Sequence, residues 1–215
     1  MAASDPRPYL PGTTGWTVDD LRHPDARHGW DLRSTDVMDG TVVLREDAHF
    51  RAGVIIADLM AIVQAHLTKA GLADGAWATE PGVATADGWV LRADAAYLTA
   101  ADLKRQAEAA AERGYPDAGR APALFVPPTL VLDAHRPDPP GFGARPRAWR
   151  YAAMGVRHYW VIDADPRTLA CLALHGRTYR PAGGGRDTDQ VRPEWPPGLE
   201  IRLREVWQDL YSGRQ

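Results

Sequence analysis

Runs of apolar residues with two different periods divide the chain into predicted strands and helices. Residues 129–134 and 158–163 are short, mainly apolar runs typical of buried strands. The stretch between them, opened by Pro146 and closed by Gly155, has the start and stop signals of a short helix. A strand, a helix and a strand in this order predict a right-handed crossover between strands of one sheet.

The region before this crossover predicts a hairpin and two helices. Asp39 and Gly40 lie between two apolar runs, which is a strong signal for a β-hairpin. Apolar residues recur at helical spacing over residues 50–67, so we expect an amphipathic helix along one face of the sheet. Residues 100–121 are rich in Ala, Glu and Arg and predict a helical insertion with a solvated face.

Further strands and the domain limits follow from the same reasoning. Strands are expected at residues 76–79 and 89–98, and Asp94 lies in the middle of the second. Residues 1–28 are rich in Pro, Gly, Asp and Arg without periodicity, which predicts an irregular lead-in. We therefore expect one domain over residues 29–215.

The C-terminal part predicts a second hairpin and a closing element. Residues 169–174 and 178–180 have strand character, and the three glycines at 183–185 are interpreted as a flexible loop. Residues 199–210 predict a strand or a helix that closes the domain.

Composition narrows the functional classes. A length of 215 residues fits one domain, and a net charge of -3 argues against a general polyanion binder. The single cysteine, Cys171, excludes an intrachain disulfide and has no histidine or helix N-terminus to activate it. The N-terminus lacks a signal-peptide pattern and no run has the length of a membrane span, so we expect a cytoplasmic protein.

Two aspartates in predicted strands are the first candidates for chemistry. Asp94 and Asp133 each interrupt an apolar strand, where a bare charge is costly unless it is paired or binds a cation. If the strands are neighbours, both carboxylates can bind one Mg²⁺ or Mn²⁺, which polarises phosphoryl oxygens and activates water for phosphodiester hydrolysis. The alternative is that each aspartate caps a loop or pairs with a nearby arginine.

Basic residues surround the second aspartate. His135 lies two positions after Asp133 and so shares its face, where it could position a water, bind the metal, or simply end the strand. Arg147 and Arg150 are three residues apart on the predicted helix, in a segment with five arginines and one acid. They could face an arriving phosphate or form a solvated helix face.

The order of these motifs resembles a known family. A strand aspartate at Asp94, then PTLVLDAHRP, then Arg147, then YAAMGVRHYWVID is similar to the Uma family (the Uma-two proteins) of the PD-(D/E)XK restriction-endonuclease-like superfamily. The similarity spans residues 36–207. It implies an α/β (α+β) restriction-endonuclease-like core: a mixed central sheet flanked by the helices at 50–67 and 146–154, with an N-terminal hairpin.

The resemblance also implies roles for individual residues. Asp94 stands at the position of the family's first metal-binding aspartate, and Asp133 where the family has glutamate. Arg147 falls where the family lysine falls, and Tyr151 matches the family tyrosine. Arginine can stabilise developing charge but stays protonated, so it cannot act as a base, and His135 could compensate.

The function implied by this resemblance is Mg²⁺- or Mn²⁺-dependent hydrolysis of DNA phosphodiester bonds. Asp94 and Asp133 would bind the metal with the carbonyl of Ala134, Arg147 would stabilise the pentacovalent phosphate, and His135 would position water. One alternative is a catalytically degenerate module that binds nucleic acid or a protein partner without turnover. Another is a hydrolase of smaller phosphate esters. DNA is the expected partner, no membrane is expected, and a homodimer is an arrangement found among such nucleases.

Overall fold

A computed structural model describes residues 12–18, 20, 35–44, 50–85, 88–134 and 147–208. The strands are β1 (Thr35–Met38), β2 (Thr41–Leu44), β3 (Ala76–Thr79), β4 (Gly82–Ala84), β5 (Val90–Arg92), β6 (Ala95–Leu98), β7 (Leu130–Ala134), β8 (His158–Asp163), β9 (Thr168–His175), β10 (Thr178–Arg186), β11 (Gln190–Val191) and β12 (Ile201–Arg202). The helices are α1 (Phe50–Lys69), α2 (Ala100–Glu112), α3 (Arg147–Met154) and α4 (Leu203–Gln208).

The strands form one large sheet and one smaller sheet, with β11 and β12 as a separate pair. Among the described residues, the large sheet has six strands in the order β10-β9-β8-β7-β6-β3, and the smaller has four in the order β2-β1-β5-β4. β7 and β8 are parallel, whereas their other neighbours in the large sheet are antiparallel. The two strands of one sheet on either side of α3, predicted from the sequence, are confirmed, and the structure shows that they are parallel.

Alternation along β7 assigns its residues to two cores. Leu130 and Leu132 pack with α1 on one face of the large sheet, whereas Val131 packs with α3 and the smaller sheet on the other. Side chains two apart on a strand share a face, so Asp133 lies on the same side as Val131. The candidate aspartate therefore points towards α3.

Helix α1 covers the opposite face of the large sheet. Its buried residues Ile55, Leu59 and Val63 belong to the same hydrophobic cluster as Leu130 and Leu132. Within the described part of the chain, α1 alone is long and apolar enough to resemble a membrane span by length and composition. Its packing against the sheet is that of a core helix, which passes the same test.

The hairpin at Asp39 and Gly40 is confirmed. Both residues have positive φ, 48° and 73°, which matches a two-residue turn of the type that favours Asp-Gly. Residues from the predicted lead-in pack beside it: Trp16 is buried, and the N–H of Val42 donates to the carbonyl of Thr13 at 2.9 Å.

The single strand predicted over residues 89–98 is wrong, because the chain bends at Asp94. β5 belongs to the smaller sheet and β6 to the large one. The partner strand explains the bend: Glu80 adopts a left-handed φ of 49° and is followed by Pro81, which has no N–H to donate. Asp94 therefore lies between two strands of different sheets.

The glycine loop predicted at residues 183–185 is also wrong, since these glycines lie within β10. The strand pairing shifts register between Pro181 and Gly184. A Cβ added to Gly184 would lie 2.9 Å from the carbonyl oxygen of Leu169 on the neighbouring strand. The glycines thus permit close backbone approach within a bulged strand.

Asp102 connects helix α2 to the start of β7. The side chain of Thr99 accepts from the N–H of Asp102, and the carboxylate of Asp102 accepts from the N–H of Thr99, forming a capping box. The same carboxylate accepts from the hydroxyl of Thr129, directly before β7, and from Arg105. Burial opposes its charge, but these hydrogen bonds, led by that of Thr129, lower the pKa of Asp102.

We predict that Asp102→Ala lowers the free energy of unfolding by about 1–3 kcal/mol at pH 7, because a cap and a charge-assisted network are lost. The folded-state pKa is below the unfolded value, so this stabilisation is complete above pH of about 4 and is lost as the pH falls through the folded pKa. Urea denaturation at several pH values measures it.

The matched control is Glu108→Ala, which removes an exposed carboxylate from the same helix. We expect that variant to remain within about 0.5 kcal/mol of the wild type. A loss for Asp102→Ala that is independent of pH, or equal to that of Glu108→Ala, would contradict this role.

Candidate active site

Asp133 is a buried carboxylate with donors on both oxygens. It lies near the end of β7 with 1% of its surface exposed. Its Oδ1 accepts from the backbone N–H of Asp94 at 3.1 Å. Its Oδ2 accepts from Arg147 Nε at 3.1 Å and from the hydroxyl of Tyr159 at 3.2 Å. The cost of burying this charge is thus offset by a guanidinium and two neutral donors.

Two hydrogen bonds link Asp94 to the end of β7, at Asp133 and Ala134. While the N–H of Asp94 donates to Asp133, the N–H of Ala134 donates to Asp94 Oδ2 at 2.7 Å. The strand pairing also places the two aspartates close together, because Ala95 and Leu132, their neighbours in sequence, pair where β6 meets β7. The structure therefore brings together the two aspartates predicted from the sequence. It also shows the alternative contacts, since Asp94 caps a backbone N–H and Asp133 pairs with an arginine.

Arg147, at the start of α3, reaches across both sheets. Nε contacts Asp133, and Nη1 donates to Asp36 Oδ2 at 2.6 Å. Nη2 donates to the backbone carbonyl of Arg92 and to the hydroxyl of Tyr151, the latter at 3.2 Å. Every nitrogen of the guanidinium is therefore engaged.

Arg147 remains permanently charged in this setting. Burial opposes its charge, but Asp36, Tyr151 and Asp133 outweigh burial and raise the pKa of Arg147 well above its ordinary value. A guanidinium with a raised pKa cannot take a proton from water. Arg147 can therefore stabilise negative charge but cannot act as a base, as expected from the residue type.

Asp36 is a site residue that sequence reasoning missed. It lies in β1 with 3% of its surface exposed, and its Oδ1 accepts from the backbone N–H of Arg92 at 2.6 Å. Its Oδ2 accepts from Arg147. In the sequence Asp36 precedes the apolar residues Val37 and Met38 but follows the polar Thr35, so the hairpin turn alone was recognised there.

Tyr151 and Tyr159 combine packing with polar contacts. Both rings are buried and lie 5.1 Å apart between centroids. Their hydroxyls nevertheless contact Arg147 and Asp133 respectively. Burial, together with the charge of Asp133, raises the pKa of Tyr159 well above its ordinary value. Tyr159 is therefore a neutral donor to Asp133.

Arg150 is directed away from this cluster. Its guanidinium carbon lies 3.5 Å from the centroid of the Trp89 ring and 4.9 Å from that of Trp149. Its Nη2 is 4.0 Å from Asp39 Oδ1. Arg150 thus packs between aromatic rings instead of joining Arg147, while the predicted site residue His135 lies outside the described residues.

The charge and chemistry of the site fit a divalent cation. Asp36, Asp94, Asp133 and Arg147, hereafter the ionic cluster, comprise three carboxylates and one guanidinium, which leaves two negative charges. Within the described ranges there is no group of three or more His, Cys, Asp or Glu arranged to hold a metal. Mg²⁺ commonly uses only one or two protein carboxylates and completes its shell with water and substrate phosphate. The oxygen donors of Asp94 and Asp133 suit that mode.

Comparisons with known proteins identify a family and a similar fold. The Uma2 family model, described as "Putative restriction endonuclease", matches residues 30–204. The fold is similar to that of a crystal structure described as a putative nuclease belonging to DUF820 from Anabaena variabilis, with a TM-score of 0.63 and 12% identity. That alignment covers 90% of this chain and 98% of the other. The restriction-endonuclease-like fold predicted from the sequence is confirmed. No curated protein matches the sequence.

We predict that Arg147→Met lowers the free energy of unfolding by about 3–5 kcal/mol, because Asp36 and Asp133 would be left buried without their cation. Arg147→Lys should cause a smaller loss, since lysine keeps the charge but cannot reach both carboxylates with a planar fork. Urea denaturation monitored by circular dichroism measures both.

The control is Arg177→Met, in an exposed turn, for which we expect a change within about 0.5 kcal/mol. If Arg147→Met were as stable as this control, the ion pairs of Arg147 would not contribute to the fold.

Proposed function

Because the chain belongs to the Uma2 family, we propose that it is a metal-dependent endonuclease that hydrolyses phosphodiester bonds of DNA. The observation that carries this proposal is the pair of hydrogen bonds that link Asp94 to Asp133 and to Ala134, beside Arg147. Two adjacent carboxylates and a fixed cation are the groups that this chemistry requires.

Asp94 and Asp133 would hold Mg²⁺ or Mn²⁺, with the carbonyl of Ala134 as a further ligand. A bound ion of this kind polarises a phosphoryl oxygen and lowers the pKa of a bound water. The protein's part is to fix the two carboxylates, which it does through β6, β7 and the N–H groups that cap them.

Arg147 would stabilise the negative charge that develops on the phosphate. Its charge does not vary near neutral pH, and its position is fixed by hydrogen bonds, so little reorganisation is needed during the reaction. It cannot accept the proton of the attacking water. His135, which follows Asp133 by two positions, remains our proposed group for positioning that water.

A degenerate module that binds nucleic acid or a protein partner without turnover is the second candidate. The observation that favours it is the direct contact between Arg147 Nε and Asp133 Oδ2. Because of this contact, Asp133 is already paired with a cation of the protein and needs no metal ion to balance its charge. In this alternative the ionic cluster serves only the fold.

We predict that the wild type nicks plasmid DNA or cleaves single-stranded DNA in Mn²⁺, and that EDTA stops the reaction. Asp94→Asn and Asp133→Asn should each lower the rate by about a hundredfold or more, as expected when several kcal/mol of metal-based stabilisation is lost. Gel assays of both substrates measure the rates, with Asp187→Asn, an exposed turn aspartate, as the control of unchanged activity.

If the wild type and the two site variants cleave DNA at the same rate, the nuclease proposal is lost. If the folded wild type binds DNA but leaves it uncut in Mn²⁺ and in Mg²⁺, the module without turnover is the better account.

A further inference from the structure

Arg147 is held by contacts that do not depend on Asp133. Nη1 bonds to Asp36 at 2.6 Å, whereas Nε is 3.1 Å from Asp133. Nη2 adds the carbonyl of Arg92 and the hydroxyl of Tyr151. If the contact with Asp133 were broken, Arg147 would still have a carboxylate, a carbonyl and a hydroxyl as partners. The guanidinium can therefore release Asp133 without leaving the site.

Asp133 is the point at which a guanidinium and a divalent cation would compete. Its Oδ2 is occupied by Arg147 and Tyr159, and its Oδ1 by the N–H of Asp94. Two positive groups on one buried carboxylate repel each other strongly, because the surroundings screen charge poorly. Binding of a metal ion to Asp133 therefore requires that the contact between Arg147 and this carboxylate weaken or break.

We propose that Asp36 is a positioning residue that retains Arg147 in the site while Asp133 exchanges the guanidinium for a divalent cation. This inference rests on the proposed metal binding by Asp94 and Asp133. Both oxygens of Asp36 are engaged, one by the N–H of Arg92 and one by Arg147. Because the proposed metal ligands are Asp94 and Asp133, Asp36 acts on the site through its contact with Arg147.

The charges of the ionic cluster agree with this division of roles. Its two excess negative charges equal the charge of one divalent cation. Without the carboxylate of Asp36 the excess falls to one, and Asp133 becomes the remaining carboxylate bonded to Arg147 within the cluster. Arg147 would then hold Asp133 more tightly and oppose metal binding.

The test is a double-mutant cycle on Mn²⁺ affinity, measured by isothermal titration calorimetry. Asp36→Asn should weaken Mn²⁺ binding by about tenfold, and Arg147→Met should strengthen it, since contacting groups couple by roughly two- to a hundredfold in affinity. In the Arg147→Met background, Asp36→Asn should have little further effect. Asp39→Asn removes a carboxylate from the same hairpin and should leave the affinity unchanged, because asparagine tolerates the φ of 48° at that position.

A weakening by Asp36→Asn that persists in the Arg147→Met background would overturn the proposal, because Asp36 would then act on the cation directly. Unchanged or weaker Mn²⁺ binding by folded Arg147→Met would overturn it as well, since no competition would exist. Improved binding by that variant cannot arise from misfolding.

A second measurement needs no variant. In the wild type, Mg²⁺ titration followed by ¹H–¹⁵N NMR of arginine Nε–H groups should shift the Arg147 resonance while it stays protected from exchange. A titration that shifts the amide resonance of Ala134 but leaves the Nε–H resonance of Arg147 unchanged would contradict the proposal. DNA cleavage is a separate readout: a protein that follows the predicted affinities but does not cut DNA supports this inference and refutes the nuclease.

Discussion

The structure depends on one largely buried guanidinium shared by two carboxylates. Arg147 extends from α3 to Asp36 in the smaller sheet and to Asp133 in the large sheet. A charge in such surroundings is stable only with its partners in place, and each partner is equally dependent on the guanidinium. Arg147 therefore links the two sheets and the helix through the same contacts that organise the candidate active site.

The second constraint is the bend that separates β5 from β6. A straight strand would use the N–H of Asp94 in its ladder, whereas the bend allows that N–H to bond Asp133. The bend comes from the left-handed Glu80 and from Pro81 on the opposite strand. The meeting of the two aspartates is thus produced by backbone geometry, and their side chains add the cap on Ala134.

Sequence reasoning found the parts of the site that carry a local signal. Asp133 is a charge within an apolar strand, and Arg147 was placed by its spacing in a family motif; both meet in the structure. The bend at Asp94 was missed because its cause lies on the partner strand. Asp36 and the hydroxyl of Tyr159 were missed because the period of apolar residues along a strand indicates which face of the strand is buried. It does not indicate which polar group of another element lies opposite that face. The same limit explains why Gly184 was assigned to a loop, since the neighbouring strand requires it.

A crystal structure of the protein grown with Mn²⁺ tests the account most directly, because anomalous scattering locates the ion independently of any assay. We expect Mn²⁺ bound by the carboxylates of Asp94 and Asp133, with Arg147 still bonded to Asp36 and withdrawn from Asp133. An ion bound elsewhere, or Arg147 still paired with Asp133 beside an unmetallated Asp94, would contradict the account.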